Sequence, residues 1–161
     1  MRNPRVDSLI AILQMQPHPE GGRYVEIYRS GDLVSRDGRD RSAGTAIHFL
    51  LERGERSRWH VVDADEIWIL NEGDPLELIT LDPETGEFAR TLLAPPDAPG
   101  ARPMAVVPRG IWQAARPLGD YTLVACTVSP GFEFAGFALC ADLPGATEIV
   151  KTLPADLQEL L

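Results

Sequence analysis

Most of this chain is a succession of short strand-like runs separated by turn residues, and this pattern restricts the fold more than any other feature. The runs are rich in β-branched and aromatic residues, with glycine, proline, aspartate or asparagine between them. They span residues 45–51, 57–62, 66–70, 75–81, 88–92, 103–107, 112–115, 121–128 and 132–139. Many short strands at even spacing, with helical patterns only at the two ends, are typical of a closed β-barrel or a β-sandwich.

The two ends of the chain carry the helical patterns. An amphipathic helix is predicted over residues 6–15, where Asp7 or Ser8 can assist its start. A second helix is predicted over residues 154–161, because Pro154 is favourable in a first helical turn.

The segment before the nine runs concentrates polar and aromatic groups. Residues 23–29 alternate like a strand, so Tyr24, Glu26 and Tyr28 share one face. Alternation alone leaves open whether that face is solvated or is presented to a pocket or a partner subunit. The following residues, 30–41, have the composition of a polar loop.

Composition limits the class of protein. A chain of 161 residues can bury a core, and we expect residues 1–161 to form one domain. The net charge of -9 repels nucleic acids and anionic membranes, so neither is expected as a partner. The sequence contains no signal-like segment and no apolar run of membrane-spanning length, which predicts a soluble cytoplasmic protein. Cys126 and Cys140 lie in apolar runs and are expected to be buried free thiols.

Two segments have a spacing more specific than turn chemistry requires. Residues 54–73 have the form G-x5-H-x-V-x3-E-x6-G, and residues 108–113 have the form P-x-G-x2-Q. Because residues two apart on a strand share a face, His60 and Val62 point the same way. If Glu66 also faces the interior, it and His60 could bind a divalent metal together, or could form a metal-free acid/base pair.

Together these segments resemble the two-part signature of the cupin superfamily. Further blocks are similar to a branch of small single-domain cupins of unassigned function. These blocks are Pro-His-Pro-Glu-Gly-Gly at 17–22, Thr-Ala-Ile-His-Phe-Leu-Leu at 45–51, Trp-His at 59–60, Asp-Glu-Ile-Trp at 65–68, Gly-Asp-Pro-Leu at 73–76, Val-Pro-Arg-Gly-Ile-Trp-Gln at 107–113 and Val-Ser-Pro-Gly-Phe at 128–132. We therefore expect an all-β, double-stranded β-helix (jelly-roll) barrel with short N- and C-terminal helices. The resemblance also implies a homodimer.

The resemblance implies a metal site that this sequence matches only in part. Cupin metal ligands are two His and one Glu in the first segment and one His in the second. His60 and Glu66 match, whereas Val62 and Gln113 stand in the other two places. A set of His60, Glu66 and Gln113 would bind a divalent metal weakly unless another donor joined it. The candidates for that donor are His18, Glu20, Glu26 and His48. The cofactor prediction is therefore none, or a weakly bound divalent metal.

The resemblance suggests a small-molecule pocket around His60, Glu66 and Gln113, with Trp68 nearby. The candidate catalytic residues are His60, Glu66, Tyr24 and Tyr28. The candidate ligand-binding residues are Glu26, His48, Trp68 and Gln113.

Three functions are compatible with this pattern. The first is a metal-free isomerase or epimerase for a sugar-like or carbonyl substrate, with His60 as base, Glu66 orienting it, and Tyr24 or Tyr28 as acid. A nucleotide-linked sugar would also need phosphate-binding arginines, for which the candidates are Arg23, Arg29, Arg58, Arg109 and Arg116. The second is a metal-dependent cupin dioxygenase, lyase or isomerase. The third is a non-catalytic ligand-binding or storage-type barrel.

Overall fold

The computed structural model describes residues 3–161, so the first two residues of the predicted domain lie outside the described part. Strands β1 to β13, numbered in chain order, are Gln16–Pro17, Arg23–Arg29, Leu33–Arg36, Arg39–Ser42, Thr45–Glu52, Ser57–Val62, Asp65–Gly73, Leu76–Leu81, Phe88–Leu93, Met104–Val107, Trp112–Pro117, Tyr121–Ser129 and Phe137–Leu139. The helices are α1 (Pro4–Leu13), α2 (Ala146–Val150) and α3 (Ala155–Gln158). Short 3-10 turns cover Phe134–Gly136 and Cys140–Asp142.

Two antiparallel sheets form the barrel. One has the strand order β1-β2-β5-β12-β7-β10, and the other has the order β13-β6-β11-β8-β9. Neighbours in each sheet are mostly distant in sequence, as expected when a jelly roll wraps its strands around two layers. The predicted all-β double-stranded β-helix barrel with terminal helices is confirmed.

Each strand contributes alternate side chains to two different cores, because side chains on a strand alternate between faces. On β5, Phe49 and Leu51 point between the sheets, while Leu50 points outward. On β6, Trp59 points outward and its neighbour His60 points into the barrel. The hydrophobic alternation that predicts the strands therefore also determines which polar groups reach the interior.

The terminal helices cover the outer faces of the sheets. Val6 and Leu9 of α1 pack with Leu50 and Leu123 of the six-stranded sheet. Helix α1 begins earlier than predicted, since Asn3 caps it by accepting a hydrogen bond from the Arg5 backbone nitrogen at 2.9 Å. The cap is therefore Asn3 rather than Asp7 or Ser8, although Asp7 lies in the first turn.

The C-terminal residues cover the outer face of the five-stranded sheet. Val150 and Leu157 pack against Trp59, and the indole nitrogen of Trp59 donates to the Leu157 carbonyl at 2.8 Å. The helix predicted over 154–161 forms only at Ala155–Gln158, as α3, and the short helix α2 precedes the predicted range.

Two other sequence predictions are corrected. Residues 30–41 do not form only a loop, because β3 and β4 pair as a hairpin from Leu33 to Ser42. The polar composition of this segment gives no strand pattern, because most of β3 and the first half of β4 are solvent-exposed. The predicted run 132–139 is a strand only at Phe137–Leu139, after a 3-10 turn. Among residues 3–161, no helix is long and apolar enough to cross a membrane.

Candidate functional site

A cavity of about 380 Å³ opens between the two sheets. Its lining includes two histidines and four glutamates, which are His18, His60, Glu20, Glu26, Glu66 and Glu133. Five aromatic rings also line it, counting the imidazole of His18 with those of Tyr24, Phe49, Phe132 and Phe134. A concave, partly apolar chamber with a few converging polar groups is the usual form of a small-molecule site.

The imidazole of His60 is held in one tautomer. Its Nδ1 lies 2.8 Å from the carbonyl oxygen of Arg58, and a carbonyl only accepts hydrogen bonds. Nδ1 therefore carries the proton, and Nε2 carries the lone pair. Burial lowers the pKa of His60 despite the opposing charge of Glu66, so the ring is neutral at neutral pH.

The carboxyl group that contacts His60 is Glu20. Glu20 Oε2 lies 3.3 Å from His60 Nε2, and Ser57 donates from its hydroxyl to Glu20 Oε1 at 2.8 Å. Burial raises the pKa of Glu20 to about 8, so this carboxyl is mostly protonated at neutral pH. Glu20 and His60 together form a buried pair that can hold or release a proton.

A tight turn before β2 places Glu20 in the barrel. The backbone nitrogen of His18 donates to Gly22, and the backbone nitrogen of Gly21 donates to His18. The Glu20 carbonyl then accepts from the Arg58 backbone nitrogen at 2.8 Å, which fastens the turn to β6. The turn also buries His18, whose Nδ1 lies 3.5 Å from Glu20 Oε2 and whose pKa burial lowers to about 4.

Glu66 is the second buried carboxyl group, on the neighbouring β7. The side-chain nitrogen of Gln113 donates to Glu66 Oε2 at 2.5 Å, and Trp68 Nε1 donates to Gln113 Oε1 at 2.9 Å. An indole N–H can only donate, so this contact fixes which end of the Gln113 amide faces Glu66. Burial raises the pKa of Glu66 to about 7, where both protonation states are populated at neutral pH. Glu66 acts on His60 through its charge, while Glu20 makes the contact.

The donor set does not fit the metal site that the cupin signature implies. Val62 lines the cavity with a side chain that has no donor atom. The Gln113 oxygen is occupied by Trp68, and its nitrogen, which faces Glu66, cannot bind a metal. Within residues 3–161, no group of three or more His, Cys, Asp or Glu side chains is arranged to hold a metal ion. The predicted weak metal set of His60, Glu66 and Gln113 is therefore not supported by this geometry.

A β-bulge divides the predicted Tyr24, Glu26 and Tyr28 face. The pairing of β2 with β5 shifts register between Glu26 and Tyr28, which leaves Ile27 as an extra residue. Tyr24 and Glu26 line the cavity before the bulge, and Arg29 lines it after the bulge. Tyr28 points outward with 57% of its surface exposed. The prediction of Tyr28 as a catalytic acid facing this cavity is therefore corrected.

Three of the four predicted ligand-binding residues, His48, Trp68 and Gln113, lie outside the cavity lining. His48 is on β5 between Ile47 and Phe49, which face the cavity, so its own side chain points to the other face. There its Nδ1 lies 3.4 Å from the side-chain nitrogen of Asn71. Trp68 is buried behind the lining and positions Gln113 instead of touching a ligand.

Of the five candidate phosphate-binding arginines, Arg29 lines the cavity. Its guanidinium is bound by both Glu26 oxygens, at 2.9 and 2.8 Å, and by the Phe132 carbonyl at 3.0 Å. Arg116 instead pairs with Glu77 and Asp156 on the outer side of the barrel. A nucleotide diphosphate would thus meet no uncommitted arginine among the residues lining the cavity.

The sequence pattern predicts Glu20 and His18 only as supplementary metal donors, and no pattern singles out Ser57. The signal was the concentration of polar groups at 17–22, which core packing does not require. Spacing could not show where that loop lies, because loops carry no periodicity. The sequence also does not indicate Phe132 and Phe134 as cavity residues, because they lie in the run 132–139, which is predicted to be a strand.

This combination of a two-sheet barrel and an interior polar cluster defines a cupin, and the comparisons agree. The chain belongs to the family described as Cupin superfamily (DUF985), which matches residues 7–140. A hypothetical protein from Leishmania major is 31% identical over 96% of this chain and 97% of its own, with a TM-score of 0.83. A Shewanella oneidensis protein is 33% identical over 99% and 95% of the two chains, with a TM-score of 0.81.

More distant structures share the fold alone. A variant of the Bacillus subtilis oxalate decarboxylase is 15% identical over 84% of this chain and 33% of its own, with a TM-score of 0.57. No curated protein matches the chain at a significant level.

Proposed function

We propose that this cupin is a metal-independent isomerase or epimerase that moves a proton on a carbon next to the carbonyl group of a small substrate. The observation that carries the proposal is the buried His60, whose Nδ1–H is fixed on the Arg58 carbonyl while Nε2 bears the lone pair inside the cavity. A neutral, oriented imidazole of this kind is suited to general-base catalysis.

The proton transfer would proceed in two balanced steps. His60 Nε2 takes the proton, the carbon–hydrogen bond breaks, and its electron pair forms the enolate of the carbonyl group. A second group then donates a proton to the carbon. If this proton arrives on the opposite face, the configuration of the carbon is inverted. Tyr24 lines the same cavity and is the proposed acid. Exchange with water resets both groups.

Two carboxyl groups support the change of charge on His60. When Nε2 gains a proton, the imidazolium lies 3.3 Å from Glu20 Oε2, and ionisation of Glu20 or Glu66 compensates its charge. Burial raises the pKa of Glu66 to about 7 and that of Glu20 to about 8, so either group can change protonation state near neutral pH. Such matched acids and bases in a buried part of the cavity favour proton transfer over simple storage.

The test is exchange of substrate hydrogen with deuterated water. A panel of small aldoses, ketoses and 2-keto acids is incubated with the protein, and loss of the proton next to the carbonyl group is followed by NMR. We expect exchange for at least one compound, with a loss of about 100-fold or more in His60→Gln. His48→Gln is the matched control, because His48 points away from the cavity, and it should retain full exchange.

Two results would contradict the proposal. One is exchange at the same rate in His60→Gln and in the unaltered protein. The other is saturable binding of a panel compound without any exchange, which would favour the non-catalytic binding barrel.

A further inference from the structure

The residues around the cavity mouth have a charge and ring composition that the proposed proton transfer does not require. Five aromatic rings and four glutamates line the cavity, against a single arginine. That arginine, Arg29, is bound by both oxygens of Glu26 and by the Phe132 carbonyl. Glu26 is neutralised by Arg29, Glu20 is mostly protonated at neutral pH and Glu66 is partly protonated, so Glu133 is the remaining carboxyl group beside the π-electron faces of the lining.

The two histidines do not change this balance. Burial lowers the pKa of His18 to about 4 and also lowers the pKa of His60, so both imidazoles are neutral at neutral pH. Neutral His18 is one of the five aromatic rings of the lining. Its centroid lies 4.7 Å from that of Tyr24 and 5.9 Å from that of Phe134, against which it stacks at 27°. Phe132 contacts Phe134 edge-on at 5.1 Å, so these rings form one continuous wall.

From this composition we infer that the cavity binds a small ligand with a protonated amine or quaternary ammonium group, held against the His18, Phe132 and Phe134 rings beside Glu133. Aromatic faces attract organic cations because the ring quadrupole is negative above the plane. The inference rests on the proposed function in that this ligand would be the carbonyl substrate itself, with its cationic end at the mouth and its reacting end at His60.

Glu133 is the carboxylate best placed to attract such a cation. It lies between Phe132 and Phe134 in the chain and keeps 37% of its side chain exposed at the cavity. Its ion pair with Arg41 Nε is long, at 4.0 Å, the Arg41 guanidinium also binds the Gly131 carbonyl and Asp63, and the charge of Glu133 also acts on Arg29. Phe134 is 52% exposed, so its ring is accessible to a ligand before any rearrangement.

The test compares choline with its neutral carbon isostere, 3,3-dimethylbutan-1-ol, by calorimetric titration. The two probes have the same shape, so their difference reports the charge. We expect choline to bind about fivefold or more tightly than the isostere. The ratio of the two affinities should fall toward one in Phe134→Leu and in Glu133→Gln. Phe88→Leu is the matched control, since Phe88 is a similarly exposed phenylalanine on β9, outside the cavity lining, and it should keep the preference.

Equal affinities, tighter binding of the neutral isostere, or no choline binding at millimolar concentration would each overturn the inference. Its failure is separable from that of the proposed function, because choline has no carbonyl group and His60→Gln should still prefer it. A retained choline preference without any hydrogen exchange would contradict only the isomerase proposal. Exchange of a neutral substrate without choline preference would contradict only the cation site.

Discussion

The side-chain nitrogen of Gln113 donates a hydrogen bond to Glu66 Oε2 over 2.5 Å, deep between the two sheets. Gln113 stands where the cupin signature has a metal-binding histidine, yet its oxygen accepts from Trp68. The residue at a ligand position of the family thus holds a carboxyl group by hydrogen bonding. This hydrogen bond is more compatible with acid/base chemistry in the cavity than with a metal centre.

Replacing Trp68 with phenylalanine should disturb Glu66 from a distance. The change removes the indole N–H that orients the Gln113 amide and leaves a small cavity, so we expect a loss of about 2–4 kcal/mol in the free energy of unfolding. The released amide no longer favours the Glu66 carboxylate, so the pKa of Glu66 should rise further. Carbon-13 NMR of labelled glutamate would measure it. Trp59→Phe removes a comparable bond to Leu157, and an equal shift of Glu66 in that control would refute the coupling.

Restoring the signature histidines should create a divalent-metal site. We expect the purified protein to contain well below one divalent ion per chain. The double variant Val62→His with Gln113→His should bind manganese or cobalt at close to one per chain, measured by elemental mass spectrometry after dialysis. Val61→His with Gln113→His is the control, because Val61 packs on the outer side of the sheet. Near-stoichiometric metal in the natural protein would show that the donor argument is wrong.

Glu20 should make the protein less stable as the pH rises. Its pKa is raised from 4.5 to about 8 in the folded state, so its contribution to stability is full below about pH 4.5 and is lost as the pH rises through about 8. Glu66 acts in the same direction, through about pH 7. Urea unfolding between about pH 5 and pH 9 should therefore show a shallower decline in Glu20→Gln than in the unaltered protein. Equal pH dependence of the free energy of unfolding in both proteins would contradict a buried, protonated Glu20. Glu148→Gln is the control, because Glu148 is an exposed carboxylate.

Alanine at Gly21 should destabilise the turn that carries His18 and Glu20. Gly21 has a φ of +118°, and an added Cβ would collide with the Arg56 carbonyl oxygen. Gly38 also has a positive φ, of +76°, but open space around it. We expect Gly38→Ala to cost about 1–2 kcal/mol from the left-handed backbone alone, and Gly21→Ala to cost clearly more. Thermal unfolding of both variants measures the difference, and equal losses would mean that the turn is free to move.

The fold could be predicted from the sequence because it depends on repeated alternation and on turn residues. Alternation predicts that His60 and Val62 share a face, and both line the cavity, but only the cupin resemblance indicates that this face is the interior one. The alternation predicts the wrong face for Tyr28, because the extra residue Ile27 moves the side chains that follow it on the strand to the opposite face. No periodic pattern in the sequence indicates a bulge. Alternation could not pair Glu20 with His60, because a loop's position depends on long-range contacts such as the one between Glu20 and Arg58. The homodimer and the cytoplasmic location stay predictions.

The protonation state of His60 tests the central claim most directly. The chain has three histidines, so nitrogen-15 NMR of labelled protein at neutral pH can assign each ring with His18→Gln, His48→Gln and His60→Gln. We predict a neutral His60 with the proton on Nδ1 and an unprotonated Nε2, in metal-free buffer. A cationic ring, or a neutral ring with the proton on Nε2, would contradict the proposed base.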